Sequence, residues 1–136
     1  MLRLAIEPLA VASAARFASR EQRQEILDAG LRAVELGAID SGPQFMEADI
    51  KFHTLILKYC GNEMFAALSP VIESVLTWRT QVGLMPEKPK PRAMEDHRNI
   101  AMEIYRGNPA AAASAMRDLV DEVQEAFSEL EPQATK

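Results

Sequence analysis

The chain is short of several residue types, and each shortage excludes something. Its 136 residues include one cysteine, Cys60, so no internal disulfide can form. A reducing, cytoplasmic setting is the simplest that fits, with Cys60 serving as a small buried hydrophobe. Hydrophobic residues make up 48% of the chain, yet no unbroken apolar run approaches the roughly 18 residues of a membrane span. The apolar N-terminus is interrupted by Glu7 and Pro8 and followed by Arg16 and Arg20, which argues for a first helix and against a signal peptide. Cationic clusters are missing too. With 20 acidic against 15 basic residues the net charge is −5, and no basic stretch is interleaved with aromatics. These residues therefore do not themselves grip a nucleic-acid backbone.

Two-residue alternation bounded by turn signals, the mark of a half-buried strand, is absent as well. Helical periodicity replaces it. A first helix is expected over about residues 2 to 17, with Pro8 near its first turn or at a kink. Ser19, followed three residues on by Gln22, caps a second helix whose stripe is Ile26, Leu27, Leu31 and Val34 and whose end is Gly37. The segment Asp40-Ser41-Gly42-Pro43 starts a third, which stops at Gly61-Asn62. A fourth is expected from about Glu63 to Val82, bent at Pro70. The proline-rich stretch from Gly83 to Pro91 reads as a connecting loop. A fifth helix runs from about Pro91 to Arg106, closed by Gly107-Asn108. A sixth starts at Pro109 and presents Ala112, Met116, Leu119, Val123 and Phe127. The expected fold is all-α, an antiparallel bundle of about six helices making a single domain over residues 1–136.

Histidine is scarce, at two residues, and both stand where a seam should be apolar. Met46, Asp49, His53, Ile56 and Cys60 recur at helical steps, so an aspartate and a histidine share one greasy face. Met94, His97, Ile100 and Ile104 repeat the pattern. A carboxylate buried without a partner costs several kcal/mol, on the order of the desolvation of an ion, so it meets a donor, a cation or a metal. One aspartate with two histidines is a candidate metal-ligand set. Arg3 with Glu7, and Glu21 with Glu25, read as ordinary exposed helix faces, of which only the first pair is an ion pair.

Taken together and in order, several short motifs resemble the FCD domain, the C-terminal effector-binding domain of the FadR subfamily of GntR transcriptional regulators. They are Arg3-x-x-Ile6-Glu7-Pro8-Leu9 with Ala14-Ala15-Arg16; Asp49-x-x-Phe52-His53; Gly61-Asn62; Asp96-His97-x-x-Ile100; Gly107-Asn108; and Ala115-Met116-Arg117. The resemblance covers nearly the whole chain. It implies a sensor module that binds a small metabolite within the bundle, homodimerises, and reaches DNA only through a winged helix-turn-helix domain not present in these residues. It also implies a divalent metal held by one Asp and three His. Asp49, His53 and His97 match the first three positions, whereas the family's Met-x-x-His reads here Met116-Arg117-Asp118-Leu119. Leu119 thus stands in the fourth ligand position, and Asp118 lies about 100° away around the helix.

Three protein ligands with an open position suit Zn, and two His with one carboxylate also suit Ni, Mn or Fe. Without a metal, Asp49 would pair with His53 or His97. For a carboxylate effector the candidate partners are Arg79, beside Trp78, and Arg92. Trp78 itself reads as core or dimer interface. Two other readings stay open: a small helical metalloenzyme using Asp49, His53 and His97, or a metal-free dimerisation module.

Overall fold

A computed structural model describes residues 2–39, 42–81 and 90–130, with the side chains of Leu2, Leu4, 79–81 and 123–130 outside that description. Among the described residues there are seven helical segments: α1 (Leu2–Phe17), α2 (Arg20–Ile39), α3 (Pro43–Lys58), α4 (Glu63–Ala67), α5 (Ser69–Gln81), α6 (Pro91–Arg106) and α7 (Pro109–Leu130). The bundle is all-α. The proline-rich stretch at 83–89, the helix-starting Asp40 and Ser41, and the seam side chains of Val123 and Phe127 lie outside the described residues.

Local chemistry sets most boundaries. Ser19 and Gln22 form a reciprocal capping box, the Gln22 N–H donating to Ser19 Oγ at 3.1 Å and the Ser19 N–H to Gln22 Oε1 at 2.8 Å. Gly107, at φ +76°, ends α6 in the left-handed conformation that glycine adopts without strain. Pro109 then opens α7 where its missing N–H is no loss. Asn62 caps α4, its side chain accepting from the N–H groups of Met64 and Phe65.

Two expectations need correction. The segment expected as one bent helix from Glu63 to Val82 is two, α4 and α5, separated at Leu68. Pro70 cannot donate to a carbonyl one turn back and its ring crowds that turn, so the chain restarts with Pro70 inside the first turn of α5. Pro8, by contrast, lies inside α1 without ending it. Gly37 does not end α2, which runs on to Ile39. Its role is close packing: a Cβ there would fall 2.3 Å from Met94 Sδ.

The main core joins Ile6, Val11, Ile26, Phe52, Ile56, Ile72, Ile100, Ile104, Met116 and Leu119, drawn from every long helix. α6 lies against α2 and α7, and α1 lies against α7, α6 and α3. Small residues permit these approaches; Ala10, Ala14 and Ala112 are wholly buried. In the alanine-rich start of α7, Ala112 and Ala113 are the buried members that serve helix contact, while Ala110 and Ala111 are exposed.

Gly30 is the tightest point against a rigid neighbour, since a Cβ there would come 2.7 Å from Ala101 Cβ and 2.8 Å from Phe52 Cε1. Gly30→Ala is expected to lose about 1–3 kcal/mol to overpacking, only partly offset by about 1 kcal/mol of helix propensity. Gly37→Ala meets a flexible thioether and should change stability by less. Urea denaturation of both variants checks the order; an equally tolerated Gly30→Ala would contradict this packing.

Candidate functional site

Asp49 and His53 stand one turn apart on α3, so both side chains leave the same face, and His97 comes from the facing side of α6. All three are buried, and one ligand atom from each lies within 4.8 Å of the others, making a group that can hold a metal ion. The two imidazoles converge on one oxygen. His53 Nε2 is 3.1 Å from Asp49 Oδ1, and His97 Nε2 is 2.8 Å from the same atom. Both pairings expected for a metal-free site are thus present at once.

The far side of each ring decides what these contacts mean. His97 Nδ1 lies 2.7 Å from the backbone carbonyl oxygen of Ala93, one turn back on α6. A carbonyl only accepts, so Nδ1 carries a hydrogen and donates it. A neutral His97 would then aim its Nε2 lone pair at a carboxylate oxygen, which is repulsive. A positive species, a proton on the ring or a metal ion, has to lie between them. His53 repeats the arrangement with a stronger acceptor, for its Nδ1 meets Oε1 of Glu7 on α1. Acceptors that hold the Nδ1 hydrogen in this way fix metal-ligating imidazoles with Nε2 toward the metal.

Glu7 and Arg3 differ from the sequence expectation. Both were expected on an exposed face, but Glu7 retains 2% exposure and Arg3 9%. Glu7 divides its carboxylate, Oε1 to His53 and Oε2 to Arg3 Nε. The signal was present in the spacing: Arg3, Glu7, Val11, Ala14 and Ala18 recur at three- and four-residue steps, and all are buried. A charged i, i+4 pair on that stripe is an inward-facing pair.

Burial opposes ionisation throughout this cluster, and charge pairing outweighs it. Burial would push the Glu7 carboxyl up, yet Arg3 and His53 bring it down to about 2. Asp49 is likewise held well below the usual carboxylate range by His53 and His97. Burial would lower His53, but Glu7 and Asp49 raise it to about 9. A metal-free domain at neutral pH therefore holds an imidazolium between two carboxylates.

Around this cluster the walls are apolar and aromatic. Phe52, wholly buried, has its ring centroid 5.5 Å from that of His53 and 5.6 Å from that of His97. Leu119 on α7 is buried in the same core. Asp118 is exposed and offers no replacement ligand. Its charge acts instead on buried Asp96, whose carboxyl is pushed up to about 6 by burial first and then by Asp118 and Glu122. Of the two arginines expected to meet an effector, Arg92 is exposed at the start of α6, and the side chain of Arg79 lies outside the described residues. Trp78, expected in a core or an interface, is half-exposed.

Comparison with known proteins agrees with this architecture. The FCD domain family model matches residues 1–122. Among solved structures the chain is similar to a Streptococcus agalactiae GntR, with 25% identity and a TM-score of 0.67 over 94% of this chain. The chain spans 54% of that protein's length. Among curated proteins nothing matches.

The direction of the His53 shift sets a pH dependence. Its native value of about 9 lies above the ordinary 6.5, so the native state holds the proton more tightly than the unfolded chain does. That stabilisation is complete below about pH 6.5 and is lost as pH rises through about 9, with a ceiling of ~3 kcal/mol. Chemical denaturation with a chelator present should show lower stability at pH 9.5 than at pH 6.5. His53→Gln should flatten that difference; a wild-type profile without any decline would contradict the buried imidazolium.

Proposed function

The chain belongs to the FCD domain family, and on that premise we propose that it is the ligand-sensing and dimerisation domain of a FadR-type GntR regulator. It acts in the cytoplasm. A small carboxylate metabolite binds within the bundle, changes how two copies sit together, and so alters the DNA affinity of a winged helix-turn-helix domain outside residues 1–136. The role is regulatory rather than catalytic. No helix among the described residues is long and apolar enough to cross a membrane.

A divalent cation held by Asp49, His53 and His97 is the second part of the proposal. The observation that carries it is the convergence of two Nε2 atoms on Asp49 Oδ1 while both Nδ1 atoms are engaged elsewhere. This donor set fits a metal in both ligand type and orientation, and Zn, Ni, Mn or Fe accepts two imidazoles with one carboxylate. Such an ion supplies a Lewis-acidic centre for a carboxylate oxygen. Leu119, where the family resemblance expects a fourth ligand, leaves a coordination position free of protein.

Metal analysis and thermal shifts against divalent ions test this reading. One equivalent of metal per chain is expected, with Asp49→Ala abolishing uptake. Leu119→His should tighten binding by roughly tenfold or more by completing a four-ligand set. Absence of uptake by the wild type, with no gain in Leu119→His, would leave a metal-free dimerisation module as the better reading.

A further inference from the structure

A second group of carboxylates lies on another flank of α6, where that helix meets α7. Asp96 directly precedes His97, so its side chain leaves α6 about 100° around the helix from the imidazole. It retains 7% exposure, and its Oδ2 is sealed from water without a hydrogen-bond partner. The acidic groups that act on it from the facing helix are Asp118 and Glu122, which stand one turn apart on α7 and so share a face. Glu122 is half-buried, and its Oε2 is likewise sealed and unpartnered. One carboxylate oxygen from each helix is thus withdrawn from water without a donor, and native proteins rarely keep such groups without a ligand to satisfy them.

Charge sets what can satisfy them. Among the described residues, Arg92 and His97 are the groups that act on Asp96 with the opposite sign. His97 is already engaged with Asp49 and with the Ala93 carbonyl. Arg92, one turn earlier on α6, is exposed and leaves Asp96 Oδ2 unpartnered. Three ionised carboxylates, from Asp96, Asp118 and Glu122, set against the single charge of Arg92 leave two negative charges, which one divalent cation balances. The donors are oxygens alone, and oxygen donors select hard ions, Mg2+ or Ca2+, over the Zn2+ or Ni2+ that suit imidazole. Size points the same way. A carboxylate oxygen keeps a hydrogen-bonded water about 2.8 Å away but holds Mg2+ at about 2.1 Å and Ca2+ at about 2.4 Å, so a bare ion enters a helix contact too tight for water.

We infer that Asp96 and Glu122 bind a hard divalent cation, Mg2+ or Ca2+, between α6 and α7, with exposed Asp118 reaching the ion through a water. This site is separate from the Asp49, His53 and His97 group and stands whether or not that group holds a metal. The ion fastens α7, which carries Leu119, to the helix that carries His97.

Calorimetric titration of Ca2+ and of Mg2+ into the chelator-treated full chain at neutral pH, with thermal melting in parallel, tests this. The wild type should bind one equivalent of at least one of the two ions, with a Kd on the order of 10⁻⁴–10⁻³ M, and its melting temperature should rise with the ion. Asp96→Asn and Glu122→Gln should each weaken binding by about tenfold or more, and Asp118→Asn by about threefold, since affinity follows the charge and number of the ligands. Asp96→Asn should also raise the melting temperature of the ion-free chain while removing the rise the ion produces, a combination that a folding defect does not give. Arg92→Gln should tighten binding by removing a competing charge. No saturable binding of either ion by the wild type below about 10 mM, an order weaker than such sites reach, would overturn the inference. Binding that both Asp96→Asn and Glu122→Gln leave unchanged would overturn it too.

Discussion

Asp49 Oδ1 receives two imidazole nitrogens, one 3.1 Å away from His53, a turn further along the same helix, and one 2.8 Å away from His97, 48 residues on in another helix. Much of the architecture follows from satisfying that one oxygen without water. α3 must lie with its Asp49–His53 face toward α6, and α6 must turn so that His97 donates to its own Ala93 carbonyl and still reaches across. α1 must bring Glu7 to the remaining nitrogen of His53, and Arg3 must follow one turn earlier to balance Glu7. Three helices are oriented by four ionisable side chains around one carboxylate. Hydrophobic packing supplies the bulk of the driving force, but it is nondirectional and tolerates rotation of a helix. A buried polar network does not, because a rotation that strands one member leaves an unpaired charge that costs about 3–5 kcal/mol.

Leu119 gives the site its individual character. Where the family resemblance implies a further imidazole this chain has Leu119, which is buried with Met116 and Val120 in the main core. In the proposed metal-bound form, a three-ligand set beside the apolar wall of Phe52 would bind a cation less tightly than a closed four-ligand set and leave room for exchange with a ligand oxygen. That suits a sensor better than a permanent structural ion. The same wall keeps water out, which preserves the strength of every charge interaction within.

Much of this was legible in the sequence. Helix positions, the Ser19 capping box, the Gly107 and Pro109 boundaries, and the Asp49–His53 and His97 seams all depend on contacts within a few residues or on a strong 3.6-residue period. Other features depended on distant neighbours. The role of Gly37 is set by Met94, 57 residues later, so a glycine that resembles a helix terminator is a packing residue. Arg3 and Glu7 form an i, i+4 pair, which on most helices faces water; only the burial of Val11, Ala14 and Ala18 on the same stripe shows that this one faces inward. Pro70 was recognised as a disturbance, but whether it bends a helix or divides it depends on the packing of the turn before it.

The account rests on a positive species between Asp49 Oδ1 and the two imidazoles, exchangeable between proton and metal. Nitrogen NMR of the full chain labelled with 15N-histidine observes this directly, because protonated, lone-pair and metal-bound ring nitrogens resonate in separate ranges. In the metal-free protein, all four ring nitrogens, each of which faces an acceptor oxygen, should carry protons. On adding Zn2+, both Nε2 signals should move to the metal-bound range while both Nδ1 protons remain. Nε2 signals unchanged by Zn2+, or rings that bind it through Nδ1, would contradict the account.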